Sequence, residues 1–69
     1  MERDAVTSSN VASVGYDAES ETLEVEFNNG SIYQYLGVPA VVYADLVTAD
    51  SVGRHLNTFV KGTYAYQPV

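Results

Sequence analysis

Sixty-nine residues with 46% hydrophobic and 17% charged content supply the apolar material for one small globular domain and carry too little charge for a disordered chain. The net charge of -6, from nine acidic and three basic residues, opposes non-specific attraction to polyanions such as nucleic acid or an anionic membrane. The absence of cysteine excludes disulfides and thiolate metal sites, and no apolar run approaches the roughly 20 residues of a membrane span.

The opening MERDAVTSSN is polar and lacks the apolar core of a signal peptide. It leads to the expectation of a cytoplasmic protein, a single domain over residues 1–69 with residues 1–6 frayed and no membrane contact. VASVGYD (11–17) alternates weakly, with Ala12, Val14 and Tyr16 on one side. TLEVEF (22–27) alternates strictly: Leu23, Val25 and Phe27 face one way, Thr22, Glu24 and Glu26 the other, the pattern of a half-buried antiparallel strand. Pairing Asp17 with Thr22 sets Tyr16 against Leu23 and Val14 against Val25, so the apolar residues share a face.

SIYQYL (31–36) reads as a third strand, and its register depends on the preceding NNG. A two-residue turn at Asn29-Gly30 places Gln34 opposite Val25 in the core, leaving Tyr33 and Tyr35 outside as a stacking surface. A three-residue loop with Gly30 left-handed instead pairs Val25 with Tyr33 and Leu23 with Tyr35, and sets Gln34 beside Glu24 and Glu26 on a wet face. Burying an unpaired amide costs about 1–3 kcal/mol, which favours the second register and makes the tyrosines structural. Ile32 and Leu36 then lie outside, with Tyr64 and Tyr66 of the tail as their expected cover.

GVP (37–39) stops the strand, and Pro39 suits the first turn of a helix carrying Val42, Tyr43, Leu46 and Val47 at helical spacing. Asp50 or Ser51 can cap a second helix in which Val52, Leu56, Phe59 and Val60 form an apolar stripe, ended by Gly62. Arg54, Asn57, Thr58 and Lys61 lie opposite that stripe, and residues 65–69 form a tail, extended or added as a strand. The expected fold is α+β, a three-stranded antiparallel meander (β-β-β) followed by two helices packed on one face. Leu23, Val25, Phe27, Val42, Leu46, Leu56 and Phe59 are its expected centre.

No catalytic residues or cofactor are expected. Ser51 and His55 share a helix face, but no oxyanion hole or third member accompanies them. Glu24 and Glu26 read as a solvated sheet face, and DAES as a turn without the ligand spacing of a calcium loop. No metal site is expected. Arg54, Asn57 and Lys61, with Tyr64 and Tyr66, are the candidate binding residues, since basic groups contact phosphate and aromatic rings stack on bases.

The ordered set of strands, V-P, S-x-G and Y-x-Y resembles a KTSC domain. The resemblance runs over about residues 6–67, from VASVGYDAESETLEVEF and NNGSIYQYLGVP to ADSVGRHLNTFVKGTYAYQPV. Its motif positions are Tyr33 and Tyr35 of the Y-x-Y, and Ser51, Gly53, Asn57 and Tyr64 of the second marker. The family takes its name from the C-terminal domain of some lysyl-tRNA synthetases and also occurs as short single-domain bacterial proteins. The resemblance implies a small binding module that associates with RNA, while the acidic balance favours a protein partner as the alternative. The oligomeric state is not legible in the sequence.

Overall fold

The strict alternation of Thr22–Phe27 makes this strand the centre of the sheet. In the computed structural model, which describes residues 1–69, it is β3 of a five-stranded antiparallel sheet in the order β1-β2-β3-β4-β5. The other strands are β1 (Asp4–Ala5), β2 (Val11–Asp17), β4 (Ile32–Tyr35) and β5 (Tyr66–Pro68); the helices are α1 (Ala40–Val47) and α2 (Val52–His55), the latter running into a π-helical turn at Leu56–Val60. The α+β class and the central meander match the expectation, but three strands were expected and five form. β1 lies in the segment expected to fray, and β5 is the added-strand form of the tail, one of the two forms expected for it. Strands of two and three residues carry no readable period. They pair at the outer edges of β2 and β4, which offer unpaired backbone donors and acceptors.

Asp17 pairs with Thr22, Tyr16 with Leu23 and Val14 with Val25, as the alternation predicts. A bulge at Ala12 then shifts the register by one, so that Val11 joins Val14 in the core while Ala12 does not follow the expected side. The NNG turn adopts the three-residue form: Phe27 N donates to Ser31 O (2.8 Å), and Gly30 takes φ of +91°, a conformation that costs glycine nothing. Leu23 therefore opposes Tyr35, Val25 opposes Tyr33, and Gln34 lies beside Glu24. Tyr66 pairs with Tyr35, on the tyrosine side of the sheet, and Tyr64 packs against the core, so neither is the expected cover for Ile32 and Leu36. Leu36 remains exposed.

The core joins Val11, Val14, Leu23, Val25 and Tyr35 of the sheet to Val38, Leu46, Val52, Leu56 and Val60 of the helical layer. Ser51 caps α2 by accepting the Arg54 N–H (3.2 Å). Phe59, expected at the centre, is 55% exposed and tilts against His55, with ring centroids 4.5 Å apart. The cause is the π turn, closed by Lys61 N donating to Leu56 O (2.9 Å). Its wider i→i+5 turn delays the phase of the helix, bringing Val60 under Leu56 and rotating Phe59 outward.

The opposite face of the sheet is not a solvated one. Glu24 is only 5% exposed, because the N-terminal segment crosses it. Gly15 makes the crossing possible: a Cβ there would lie 2.2 Å from Glu2 O and 3.1 Å from Arg3 Cγ. Over this gap Arg3 reaches from beside β1 to pair with Glu24 Oε2, while its Nε donates to Ser13 Oγ (3.0 Å). Gln34 Nε2 donates to Glu24 Oε1 (2.9 Å), and Gln67 Nε2 donates to Gln34 Oε1 (3.0 Å). The hydrogen bond from Gln34 holds the Glu24 carboxyl below its ordinary pKa against the opposing effect of burial, and Arg3 adds to the lowering.

Two outcomes follow from the packing and this ladder. Leu56→Ala is expected to lose about 2–5 kcal/mol in denaturant unfolding, whereas Phe59→Ala is expected to lose less than about 1 kcal/mol, as exposed positions do. The reverse order would contradict the π-turn phase. Because the folded pKa of Glu24 is depressed, its contribution is present above the unfolded value of about 4.3 and is lost as pH falls through the folded value. Stability measured on acidification should decline across that window, and Glu24→Gln should flatten the decline.

Candidate functional site

Phe27 ends β3 and the Y-x-Y of β4 lies beside it, so their three rings share the helix-facing side of the sheet. Phe27 meets Tyr33 edge-on at 5.9 Å, and Tyr33 meets Tyr66 edge-on at 5.7 Å. Tyr66 lies tilted over Tyr35 at 5.9 Å, completing a continuous aromatic wall. Tyr35 is 4% exposed and Tyr66 63%, so the wall grades from core to solvent. Burial first, then the neighbouring Tyr66 and Tyr33, raises the pKa of the Tyr35 hydroxyl. Tyr33 and Tyr35 are thus both core-side residues and cavity lining.

Two adjoining cavities use this wall. One, of about 350 Å³, is lined by Phe27, Tyr33, Tyr35, Tyr66, Gly62 and Lys61. The other, of about 470 Å³, shares Phe27, Tyr33 and Lys61 and is otherwise mostly polar, with Asn10, Asn28, Asn29 and Asn57 beside Ser9 and Ser31. Both volumes fall within the range of about 300–1,000 Å³ typical of small-ligand pockets. Lys61 stands between them, its Nζ 4.9 Å from the centre of the Phe27 ring in a cation–π contact. The backbone loop at residues 8–10 closes the polar end. Asn28 Nδ2 donates to the carbonyls of Ser8 (3.3 Å) and Ser9 (2.9 Å), and Asn29 Oδ1 accepts from Ser31 N (3.0 Å). Asn10 and Asn57 are exposed.

None of the nine acidic residues lines either cavity. Acidity instead gathers at a third hollow, where Glu2, Asp4 and Asp17 flank the stacked Tyr16 and Tyr43 rings, 4.9 Å apart. The groove is therefore lined without acid on a strongly acidic chain.

The sequence-derived binding candidates do not form one patch. Asn57 and Lys61 line the amide cavity, and Lys61 and Tyr66 line the tyrosine cavity. Arg54 is exposed but lines neither, and Tyr64 is packed against the core. Of the motif residues, Ser51 is the α2 cap and Gly53 a close approach: a Cβ at Gly53 would lie 3.2 Å from Ser8 Oγ. Sequence reasoning missed Phe27 as a lining residue, and missed Asn10, Asn28 and Asn29. The asparagines were legible only as turn formers, since their convergence depends on the loop at residues 8–10 meeting the β3–β4 turn.

Comparison with known proteins places the chain in a family. The model of the KTSC domain matches residues 7–64. An uncharacterized protein of Stutzerimonas stutzeri is 49% identical over 61 residues, covering 88% of this chain and 86% of that one. A lysine–tRNA ligase of Nostoc punctiforme is 42% identical over 52 residues, which is 75% of this chain but 9% of the ligase. The crystal structure of a KTSC domain protein from Yersinia pestis aligns with a TM-score of 0.93 at 36% identity, over 99% of this chain and 96% of that one.

The packing of the wall sets an alkaline titration. Tyr35→Phe should remove a component that ionises above the ordinary tyrosine value of about 10 in a spectrophotometric titration. Because the folded pKa is raised, the stability linked to this hydroxyl is present below the unfolded value and is lost as pH rises through the folded one. Removal of a component at the ordinary value would contradict the burial of Tyr35.

Proposed function

The chain belongs to the KTSC domain family, and from that premise we propose that it is a small, non-catalytic cytoplasmic binding module that associates weakly with RNA. The observation that carries this reading is the acid-free groove, in which four aromatic rings, a set of asparagine amides and one lysine converge on a chain of net charge -6. Aromatic faces stack on bases and a lysine contacts phosphate. The similarity to part of a lysine–tRNA ligase supports the same direction. The non-catalytic part of the reading is supported by the engagement of Ser51 as a helix cap and of His55 against Phe59, which leaves the Ser–His pair without a nucleophilic arrangement.

A protein partner is the second reading, favoured by the exposed Val41, Val47 and Phe59 of the helical layer. NMR titration with short single-stranded RNA separates the two. With Lys61, and at most Arg54, available on this side, one or two phosphates are neutralised. The slope of log affinity against log salt should then lie between about -0.7 and -1.4. Shifts confined to Val41, Val47 and Phe59 on adding a candidate protein, with none from RNA, would favour the second reading.

A further inference from the structure

The two cavities adjoin, and their shared residues are Phe27, Tyr33 and Lys61. One side of this junction is walled by tyrosine rings, the other by exposed amides, and the single cation stands at the join. That order matches the repeat of a single strand: base, phosphate, base. We propose that the groove is a two-nucleotide site for single-stranded RNA in which the bases, rather than the phosphates, carry the binding. This rests on the RNA reading above and names the part of the ligand recognised.

One base stacks in the tyrosine cavity on Tyr66, the exposed end of the aromatic wall. The linking phosphate lies at Lys61, and the next base presents its edge to Asn10 and Asn57 in the amide cavity. The charge distribution argues for bases as the dominant contact. With one lysine at the site and a net charge of -6, backbone attraction is too weak to select the groove. The rings and amides act at short range and add nothing to the salt slope, which counts only neutralised phosphates. Duplex RNA is excluded from this mode, because its bases are paired and stacked and cannot enter either cavity.

The chain contains six tyrosines and no tryptophan, and Tyr33, Tyr35 and Tyr66 line the groove, so tyrosine emission responds to stacking there without a tryptophan background. The experiment titrates the protein with a short single-stranded oligoribonucleotide, with an abasic strand of equal phosphate number, and with an RNA duplex. Tyrosine quenching and amide shifts are followed at low and at physiological salt. The base-bearing strand should quench emission and shift Phe27, Tyr33, Asn57, Lys61 and Tyr66, while the abasic strand and the duplex should bind about tenfold or more weakly. Tyr66→Ala should weaken the single strand by about tenfold and Tyr66→Phe should retain it. Unchanged dispersion of the other amides in both variants shows that the fold persists. Equal binding of abasic and base-bearing strands, or shifts centred on Arg54 outside the groove, would overturn the two-nucleotide site while leaving RNA association standing. Absence of any shift from every strand would remove the RNA reading itself.

Discussion

Glu24 is a carboxylate in the middle of the sheet with almost no contact with water, and the architecture around it follows from the need to keep that charge compensated. An isolated buried charge is strongly unfavourable, and removing one partner of a buried pair is costly even where the pair itself adds little. Both carboxylate oxygens are therefore occupied, one by Arg3 and the other by Gln34, and Gln34 is held in turn by Gln67. Because these partners come from beside β1, from β4 and from β5, the ladder connects the ends of the chain across the whole sheet. Gly15 is the enabling residue, since any side chain there would collide with the crossing segment.

The ladder also shapes the electrostatics of the other face. Of the three basic residues, Arg3 is committed behind the sheet, which leaves Arg54 and Lys61 on the helical side. Lys61 is turned over Phe27 at the junction of the two cavities, while the acids lie elsewhere. A protein with a sequence pI near 4.2 thereby presents one groove without acidic lining. Net charge governs long-range attraction, but the local composition of a site governs what it holds once contact is made.

The π turn links the core to this groove. It places Val60 beneath the sheet and Phe59 in solvent, and the same turn ends at Lys61, whose amide closes it. The position of the lysine over Phe27 and the exclusion of Phe59 from the core are thus two consequences of one widened turn. π turns recur at functional sites because they reposition side chains without ending the helix.

What the sequence by itself determined was local and periodic. Strict alternation in Thr22–Phe27 sets which of its side chains face the core, and of the two registers that the NNG turn allows, the cost of burying Gln34 favours the one that forms, with Tyr33 and Tyr35 on the core side. The cap at Ser51 was readable for the same reason, since one side chain meets a backbone donor three residues away. Tertiary structure decided what depends on distant segments meeting. β1 and β5 are too short to show a period and pair at the open edges of the meander. Glu24 looked solvated because its alternation was correct, and only the crossing of Arg3 buries it. Phe59 looked central because helical spacing assumes a constant turn, and the π turn breaks that assumption. The groove combines residues from the loop at residues 8–10, the β3–β4 turn, β5 and the π turn, separated by up to most of the chain. A one-dimensional pattern encodes which face a side chain takes, but convergence of distant side chains is set by packing alone.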